Sequence, residues 1–181
     1  MSMPKKNAFK LDVVSIRLVK DTPLYSEVEI KTPEDATRLM GKTLCEMDRE
    51  VVCVLNLNSA GKPINCNVVS MGALDSAIAH PREILKSTFL SNASSIVLIH
   101  NHPSGKLTPS KVDVILTDRM KKICDLVGIE LLDHIIVGGD NKGYYSFRQA
   151  NLIKSENLNL ATNPKYINWD FPLISEEGKK R

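Results

Sequence analysis

Residues 95–113 read SIVLIHNHPSGKLTPSKVD, and this stretch decides the fold prediction. Its aliphatic run from Ser95 to His100 is typical of a buried strand. A turn containing Pro, Ser and Gly follows. Thr108 and Pro109 then have the residue types of a helix N-cap and first helical position. The stretch is therefore predicted to form a strand, a loop and the start of a helix.

The polar residues of this stretch suggest a metal site. His100 and His102 are separated by one residue, so their imidazoles are expected on the same side of a strand. Ser110 and Asp113, at the predicted helix start, are expected to share a face. Two imidazoles and one carboxylate, with a fourth position left for water, form the ligand set of a catalytic zinc site. A His-x-His pair alone is more often incidental, but the offsets of Ser110 and Asp113 favour a site with His100, His102 and Asp113 as ligands.

A water activated by a metal also needs a group that accepts and returns its proton. Glu50 begins a predicted strand, EVVCVLNL, at residues 50–57. A carboxylate at that position could take a proton from water and pass it to a leaving amine. Glu46, about one helical turn earlier, is the alternative, and either carboxylate could instead be a solvated charge. The position at the start of the strand favours Glu50.

Strands and helices alternate along the rest of the chain, which indicates an α/β or α+β sandwich. On the helix after Pro109, apolar residues recur at helical spacing and predict its buried face. They are Val112, Ile115, Leu116, Met120, Ile123, Cys124 and Val127. The other predicted elements are a strand over 11–19, a helix from Thr32 to about Met47, strands over 50–57 and 63–71, a helix starting at His80 and Pro81, a helix end at Gly128, and strands over 129–137 and 144–147.

Length and composition favour a globular protein and give only weak support for a nucleic-acid partner and none for a membrane partner. The 181 residues fit one domain with a tail, and 25% charged and 43% hydrophobic residues are ordinary values. A net charge of +3 is too small to predict nucleic-acid binding. No apolar run resembles a signal peptide or membrane span, so a cytoplasmic location is expected. The four cysteines have no CxxC spacing and are predicted to be reduced, buried or half-buried thiols.

Several motifs together resemble a known family. Glu50, His100, His102, Ser110 and Asp113 match the JAMM pattern: a distant Glu, then H-x-H, seven residues and S-x-x-D. The surrounding motifs, HPRE at 80–83, HNHPSG at 100–105 and LDHIIVG at 132–138, resemble the RadC-type branch of JAB/MPN domains. The resemblance implies an α/β fold of the three-layer, cytidine-deaminase-like type, with a mixed sheet flanked by helices. It also implies a zinc-dependent metalloprotease-type hydrolase acting on peptide or isopeptide bonds.

The same resemblance assigns a role to each site residue. His100, His102 and Asp113 would bind Zn²⁺, and Glu50 would be the general acid and base. Ser110 would stabilise the tetrahedral intermediate. The substrate would be a peptide or protein-derived molecule, and no feature of the sequence indicates which one, or an oligomeric state.

Three regions are predicted: an extension with strands over 1–31, the RadC-like JAB/MPN domain over 32–150, and a polar tail over 151–181. Full-length RadC-like proteins usually begin with a helix-hairpin-helix segment of the kind that contacts DNA. Residues 1–31 do not have that pattern, so a DNA-repair role is weakly supported. A non-catalytic or DNA-repair-associated accessory protein on the same fold is the alternative function.

Three further polar residues near these motifs have structural interpretations. His134, beside Asp133, is predicted to form a hydrogen bond near the sheet edge rather than bind metal. His80 is predicted to begin a helix. Asn101 is expected to point away from its two histidine neighbours and to form local contacts.

Overall fold

The computed structural model describes residues 15, 17–19, 29–72, 79–139 and 142–154 of the chain. These residues form three helices and five strands: α1 (Pro33–Cys45), β1 (Glu50–Leu57), β2 (Pro63–Gly72), α2 (Pro81–Leu90), β3 (Ser95–His102), α3 (Lys111–Val127), β4 (Glu130–Gly138) and β5 (Tyr144–Ser146). The strand predicted over 11–19 lies mostly outside the described residues, and residues 15 and 17–19 have no regular secondary structure. Residues 155–181 of the predicted tail also lie outside them.

The five strands form one mixed sheet in the order β2-β1-β3-β4-β5. Strand β1 pairs antiparallel with both β2 and β3, β3 pairs parallel with β4, and β4 pairs antiparallel with β5. The parallel pair needs a long crossover connection, and α3 provides it. The predicted α/β fold with a mixed sheet between helices is confirmed.

Each face of the sheet has its own hydrophobic core. Helix α1 covers one face, where its buried residues pack on alternate residues of β1, β3 and β4, among them Met40, Leu44, Cys53, Leu55, Val97, Ile99 and Ile135. Helices α2 and α3 cover the other, whose core includes Val54, Ile84, Leu85, Ile96, Leu98, Leu116, Met120 and Leu131. A large aliphatic side chain buried this way contributes about 1.5–3 kcal/mol to folding.

Strand β3 is longer than predicted and continues through both histidines to His102. Its side chains alternate between the two cores, with Ile99 on the α1 face and Leu98 on the α3 face. His100 is on the same face as Leu98. The alternation therefore directs the imidazoles of His100 and His102 towards α3.

Helix α3 differs from the prediction at its start. It begins at Lys111 with Ser110 as N-cap, so the start predicted at Thr108 and Pro109 is wrong. The reason is local: the Ser110 side chain accepts a hydrogen bond from the backbone N–H of Asp113, and this cap fixes the first turn. Pro109 precedes the cap instead of occupying the first helical position.

The buried face of α3 also differs from its predicted apolar positions. Val112, Ile115 and Val127 are 45%, 51% and 42% exposed. Asp113 and Thr117 are buried instead, and they share the face of Leu116, Met120 and Cys124. The helix is thus oriented by a polar contact at its first turn together with the apolar residues further along.

Two composition-based expectations can be compared with the described residues. Cys53 and Cys124 are buried and Cys45 and Cys66 partly buried, as predicted, and none of these four cysteines forms a disulfide. In the described ranges, no helix combines the length and apolar character that crossing a membrane requires.

Candidate metal centre

Three elements bring four candidate ligands together beside the end of β3. Glu50 starts β1, His100 and His102 end β3, and Asp113 lies in the first turn of α3. One ligand atom from each lies within 4.8 Å of those of the other three. The alternative acid/base candidate, Glu46, is the exposed C-cap residue of α1 and does not belong to this group.

The distances within the group fit a small tetrahedral cation. Nε2 of His100 lies 3.1 Å from Nε2 of His102 and 3.3 Å from Oδ1 of Asp113. Nε2 of His102 lies 3.6 Å from Oδ2 of Asp113. Zinc bonds of about 2.0–2.1 Å at tetrahedral angles separate the ligand atoms by about 3.3–3.4 Å. The donor set and the distances from Nε2 of His100 to Nε2 of His102 and to Oδ1 of Asp113 therefore fit a small divalent cation such as zinc.

The imidazole of His102 is oriented by its second ring nitrogen. Nδ1 lies 2.7 Å from the carbonyl oxygen of Lys106 in the turn after β3. A carbonyl can only accept, so Nδ1 carries the proton and donates. This leaves Nε2 directed at the ligand group, the arrangement that metal-binding histidines usually have.

The carboxylate of Asp113 is held by the residue that caps its helix. The backbone N–H and the hydroxyl of Ser110 both donate to Oδ2 of Asp113 at 2.7 Å, and the Asp113 N–H donates back to Oγ of Ser110 at 3.2 Å. This reciprocal arrangement is a capping box. Because Ser110 binds Oδ2, the other oxygen, Oδ1, is turned towards His100.

Burial and neighbouring charges shift the pKa values of the four groups in different directions. Burial lowers the pKa of His100 to about 4, against the attraction of Asp113. The hydrogen bond with Asp113 raises the pKa of His102. Burial acts to raise the pKa of Asp113, but hydrogen bonds with His102 and Ser110 and the charge of His100 hold it well below its usual range.

Glu50 has the opposite shift from Asp113. Burial and the negative charge of Asp113 raise the pKa of the Glu50 carboxyl, while His102 opposes the rise. A carboxylate with a raised pKa holds a proton more readily, which suits a group that must accept one and give it back. The two carboxylates of the group therefore have different chemical properties: Asp113 stays ionised, and Glu50 is the better base.

The sequence matches a known protein family. The family model described as a RadC-like JAB domain matches residues 30–152. The chain belongs to this family.

Similar proteins of the family, all named UPF0758 protein, come from several bacteria. The protein of Desulforamulus reducens is 40% identical over 131 residues, 72% of this chain and 57% of its own length. Those of Staphylococcus epidermidis and Clostridium novyi are 42% and 41% identical over 124 residues, 68% of this chain and 54% of their own length. The chain thus spans little more than half the length of the relatives it matches.

In this RadC-like JAB domain, Asn101 connects β3 to the start of β1. The Val51 N–H donates to Oδ1 of Asn101 at 2.8 Å, and Nδ2 of Asn101 donates to the Arg49 carbonyl at 3.0 Å. These contacts bracket Glu50 on both sides. Asn101 faces away from its histidine neighbours, as expected, but its contacts are with a neighbouring strand. The regular β1–β3 register ends at Val52 and His100, so the Asn101 side chain continues the pairing.

The sequence did not connect His134 and Thr117 with the site. His134 is fully buried on β4, and its Nε2 lies 2.9 Å from Nδ1 of His100. Its Nδ1 lies 2.6 Å from the hydroxyl of Thr117. His134 is hydrogen-bonded and outside the ligand group, as predicted, but it is fully buried on a strand between β3 and β5 and not near the sheet edge. A signal for Thr117 was present, since it follows Asp113 by one helical turn.

His80 caps α2 by accepting a hydrogen bond from the Arg82 N–H, as predicted.

Proposed function

We propose that this domain is a zinc-dependent hydrolase of the JAMM type that cleaves a peptide or isopeptide bond. The observation that carries the proposal is the group of Glu50, His100, His102 and Asp113, whose ligand atoms all lie within 4.8 Å of one another. Two imidazole nitrogens, an ionised carboxylate and a second carboxyl group with a raised pKa suit metal-assisted hydrolysis. Membership of the RadC-like JAB family is consistent with this chemistry.

The three ligands of the proposal are His100 and His102, through Nε2, and Asp113, through Oδ1. When bound, the ion would supply Lewis-acid activation of a water molecule near neutral pH. The protein provides the fixed orientation: the Lys106 carbonyl holds His102, and Ser110 holds Asp113. Because these hydrogen bonds fix the ligand atoms before the substrate reacts, no conformational entropy has to be lost at the reaction step.

Glu50 is the proposed general base and acid. Its side chain is half-buried beside the ligands, where burial raises the pKa of its carboxyl. It would take a proton from the attacking water and deliver it to the amine that leaves when the amide bond breaks. The Asn101 hydrogen bonds on either side of Glu50 fix the backbone from which this carboxylate projects.

Ser110 is the proposed stabiliser of the oxygen that becomes negative when water attacks the amide carbonyl. Its hydroxyl donates to Asp113, and its side-chain oxygen accepts from the backbone of α3. To donate to the substrate, the hydroxyl would have to turn away from Asp113. The Ser110 N–H would keep its hydrogen bond to Oδ2 during that rotation.

The test compares Glu50→Gln with Glu46→Gln in zinc-loaded protein, using a quenched-fluorescent peptide library of random sequence as substrate. We expect Glu50→Gln to keep its zinc and to lose about 10²–10⁴-fold in cleavage rate, the usual contribution of general acid–base catalysis. Glu46→Gln should behave like the unchanged protein, because Glu46 is exposed at the end of α1.

Three results would contradict the proposal. One is cleavage by Glu50→Gln at a rate close to that of the unchanged protein. Another is cleavage that survives removal of zinc by a chelator. The last is a zinc-loaded protein that cleaves no peptide of the library. Loss of zinc from Glu50→Gln would instead assign Glu50 as a fourth ligand and overturn its role as the base.

A further inference from the structure

Two buried residues outside the ligand group form a continuous hydrogen-bonded chain to it. Thr117 lies on α3, one helical turn after Asp113, and its hydroxyl is 2.7 Å from the Asp113 carbonyl oxygen. The same hydroxyl is 2.6 Å from Nδ1 of His134, whose Nε2 is 2.9 Å from Nδ1 of His100. The chain thus runs from the backbone of one candidate ligand to the ring of another.

The Asp113 carbonyl gives this chain a direction. A carbonyl oxygen can only accept, so the single hydroxyl proton of Thr117 is donated to Asp113. The hydroxyl oxygen then accepts from Nδ1–H of His134. When His134 is neutral and its proton is on Nδ1, its Nε2 is unprotonated. That nitrogen accepts a hydrogen bond from Nδ1–H of His100.

With this direction of hydrogen bonds, Nε2 of His100, the atom facing the ligand group, carries no proton. We propose that Thr117 and His134 are positioning residues that hold the proton of His100 on Nδ1 and so keep Nε2 available for the metal. This inference rests on the metal-binding part of the proposed function.

Burial supports the neutral form of His134 on which this direction depends. Its side chain is fully buried, and its ring nitrogens face a hydroxyl and another imidazole, not a carboxylate. A charged imidazolium there would be a buried ion without a counter-charge, which is strongly unfavourable. The ring is stacked on Phe147 at a centroid distance of 4.9 Å and an angle of 11°, so it has little freedom to turn.

The opposite arrangement would disable the site. If Thr117 donated to His134, then Nε2–H of His134 would donate to Nδ1 of His100, and the His100 proton would move to Nε2. Nε2 of His102, at 3.1 Å, and Oδ1 of Asp113, at 3.3 Å, favour that state, because each can accept a hydrogen bond from a protonated Nε2 of His100. Both distances are long compared with about 2.7–2.9 Å for a strong charge-assisted bond. The reversed chain would also lose the 2.7 Å hydrogen bond from the Thr117 hydroxyl to the Asp113 carbonyl, the one contact of the chain that requires a direction, so we expect that direction to prevail.

The test reads the His100 tautomer directly, by ¹⁵N NMR of the imidazoles in metal-free protein, because protonated and unprotonated ring nitrogens resonate far apart. The variants are Thr117→Val, which removes the hydroxyl at nearly constant shape, and Thr117→Ser, which retains it. We expect the unchanged protein and Thr117→Ser to have Nδ1 of His100 protonated. Thr117→Val should shift the proton towards Nε2. A zinc titration should give about 10–100-fold weaker binding for Thr117→Val, as found when groups that orient ligands are removed.

His134→Phe provides a second route if Thr117→Val does not fold. It retains a flat ring against Phe147 but offers His100 no acceptor, so the same tautomer shift and weaker zinc binding are expected. A His100 proton found on Nε2 in the unchanged protein would overturn the inference. So would a Thr117→Val or His134→Phe variant with unaltered tautomer and zinc affinity. If the unchanged protein does not bind zinc, the result contradicts the proposed function. The two failures can be distinguished because the NMR experiment reads the His100 tautomer in metal-free protein.

Discussion

Helices α1 and α3 begin with the same local structure but differ in what surrounds it. Each has a capping box: Thr32 with Asp35 at the start of α1, and Ser110 with Asp113 at the start of α3. In both, the hydroxyl and backbone N–H of the cap residue donate to Oδ2 of the aspartate, at 3.0 Å in α1 and 2.7 Å in α3. The S/T-x-x-D motif by itself is therefore a helix start.

The difference lies in the partner of the second carboxylate oxygen. Oδ1 of Asp35 faces Arg38 of its own helix, at 3.4 Å. Oδ1 of Asp113 faces His100, on β3, at 3.3 Å. The Asp35 side chain is 17% exposed and that of Asp113 only 7%. The comparison teaches that a cap becomes a candidate metal ligand when a strand places imidazoles beside its unused oxygen and burial keeps water away.

The largest expected difference between the two caps concerns zinc binding. Asp113→Asn should weaken zinc affinity by more than the roughly 10–100-fold that removal of an outer-shell group costs, because a charged ligand is lost. Asp35→Asn is the matched control and should leave zinc affinity unchanged, with a loss of about 0.5–1 kcal/mol in unfolding free energy from the weaker helix-dipole interaction. Isothermal titration with zinc and urea unfolding measure the two effects. Equal zinc affinities for Asp113→Asn and Asp35→Asn would mean that Asp113 is not a metal ligand and does not differ from Asp35 in this respect.

The fold and the grouping of the candidate His and Asp ligands were predictable because both depend on local patterns. An apolar run ending in His-x-His specifies a buried strand with two imidazoles on one side, whatever the rest of the chain does. The S-x-x-D spacing at 110–113 is that of a capping box, although the cap was predicted at Thr108. Glu50 is different, since only a long-range pairing brings β1 beside β3. Its assignment rested on its position at the start of a predicted strand and on the family pattern.

The supporting residues were not predictable in the same way. Thr117 and His134 meet only because α3 turns Asp113 and Thr117 towards the sheet and leaves Val112 and Ile115 exposed. Apolar periodicity correctly predicted that Leu116, Met120 and Cys124 are buried, but it also placed Val112, Ile115 and Val127 on the buried face, since it gives no weight to a polar network. Asn101 likewise acquires its role from the point at which the β1–β3 register stops. Such contacts depend on tertiary geometry that single-sequence patterns do not contain.

A smaller difference is expected when the cap hydroxyls are removed. Thr32→Ala and Ser110→Ala should each reduce the free energy of unfolding by about 1 kcal/mol, the usual contribution of an N-cap side chain. Ser110→Ala should in addition weaken zinc binding about 10-fold, since Asp113 loses one of its orienting hydrogen bonds. Urea unfolding and zinc titration of both variants measure these effects.

The same pair of variants examines the proposed catalytic role of Ser110. If its hydroxyl stabilises the developing negative charge, Ser110→Ala saturated with zinc should lose about 10²–10³-fold in kcat. A loss of only a few-fold at saturating zinc would leave Ser110 as a helix cap that orients Asp113. Thr32→Ala should not alter kcat in either case, because Thr32 caps a helix on the opposite face of the sheet.

The smallest effect is expected at the Oδ1 partner of Asp35. Arg38 is 67% exposed and pairs with Asp35 one helical turn away, and exposed pairs of this kind contribute about 0.3–0.5 kcal/mol. Arg38→Ala should therefore lower the free energy of unfolding by no more than about 0.5 kcal/mol, and added salt should remove the difference because exposed charges are screened. Urea unfolding at low and high salt measures both. If the loss of unfolding free energy is well above 1 kcal/mol and persists in salt, Arg38 is an essential partner of Oδ1 of Asp35. The proposed difference between the Asp35 cap, whose neighbour is dispensable, and the Asp113 cap, which faces a candidate metal ligand, would then be wrong.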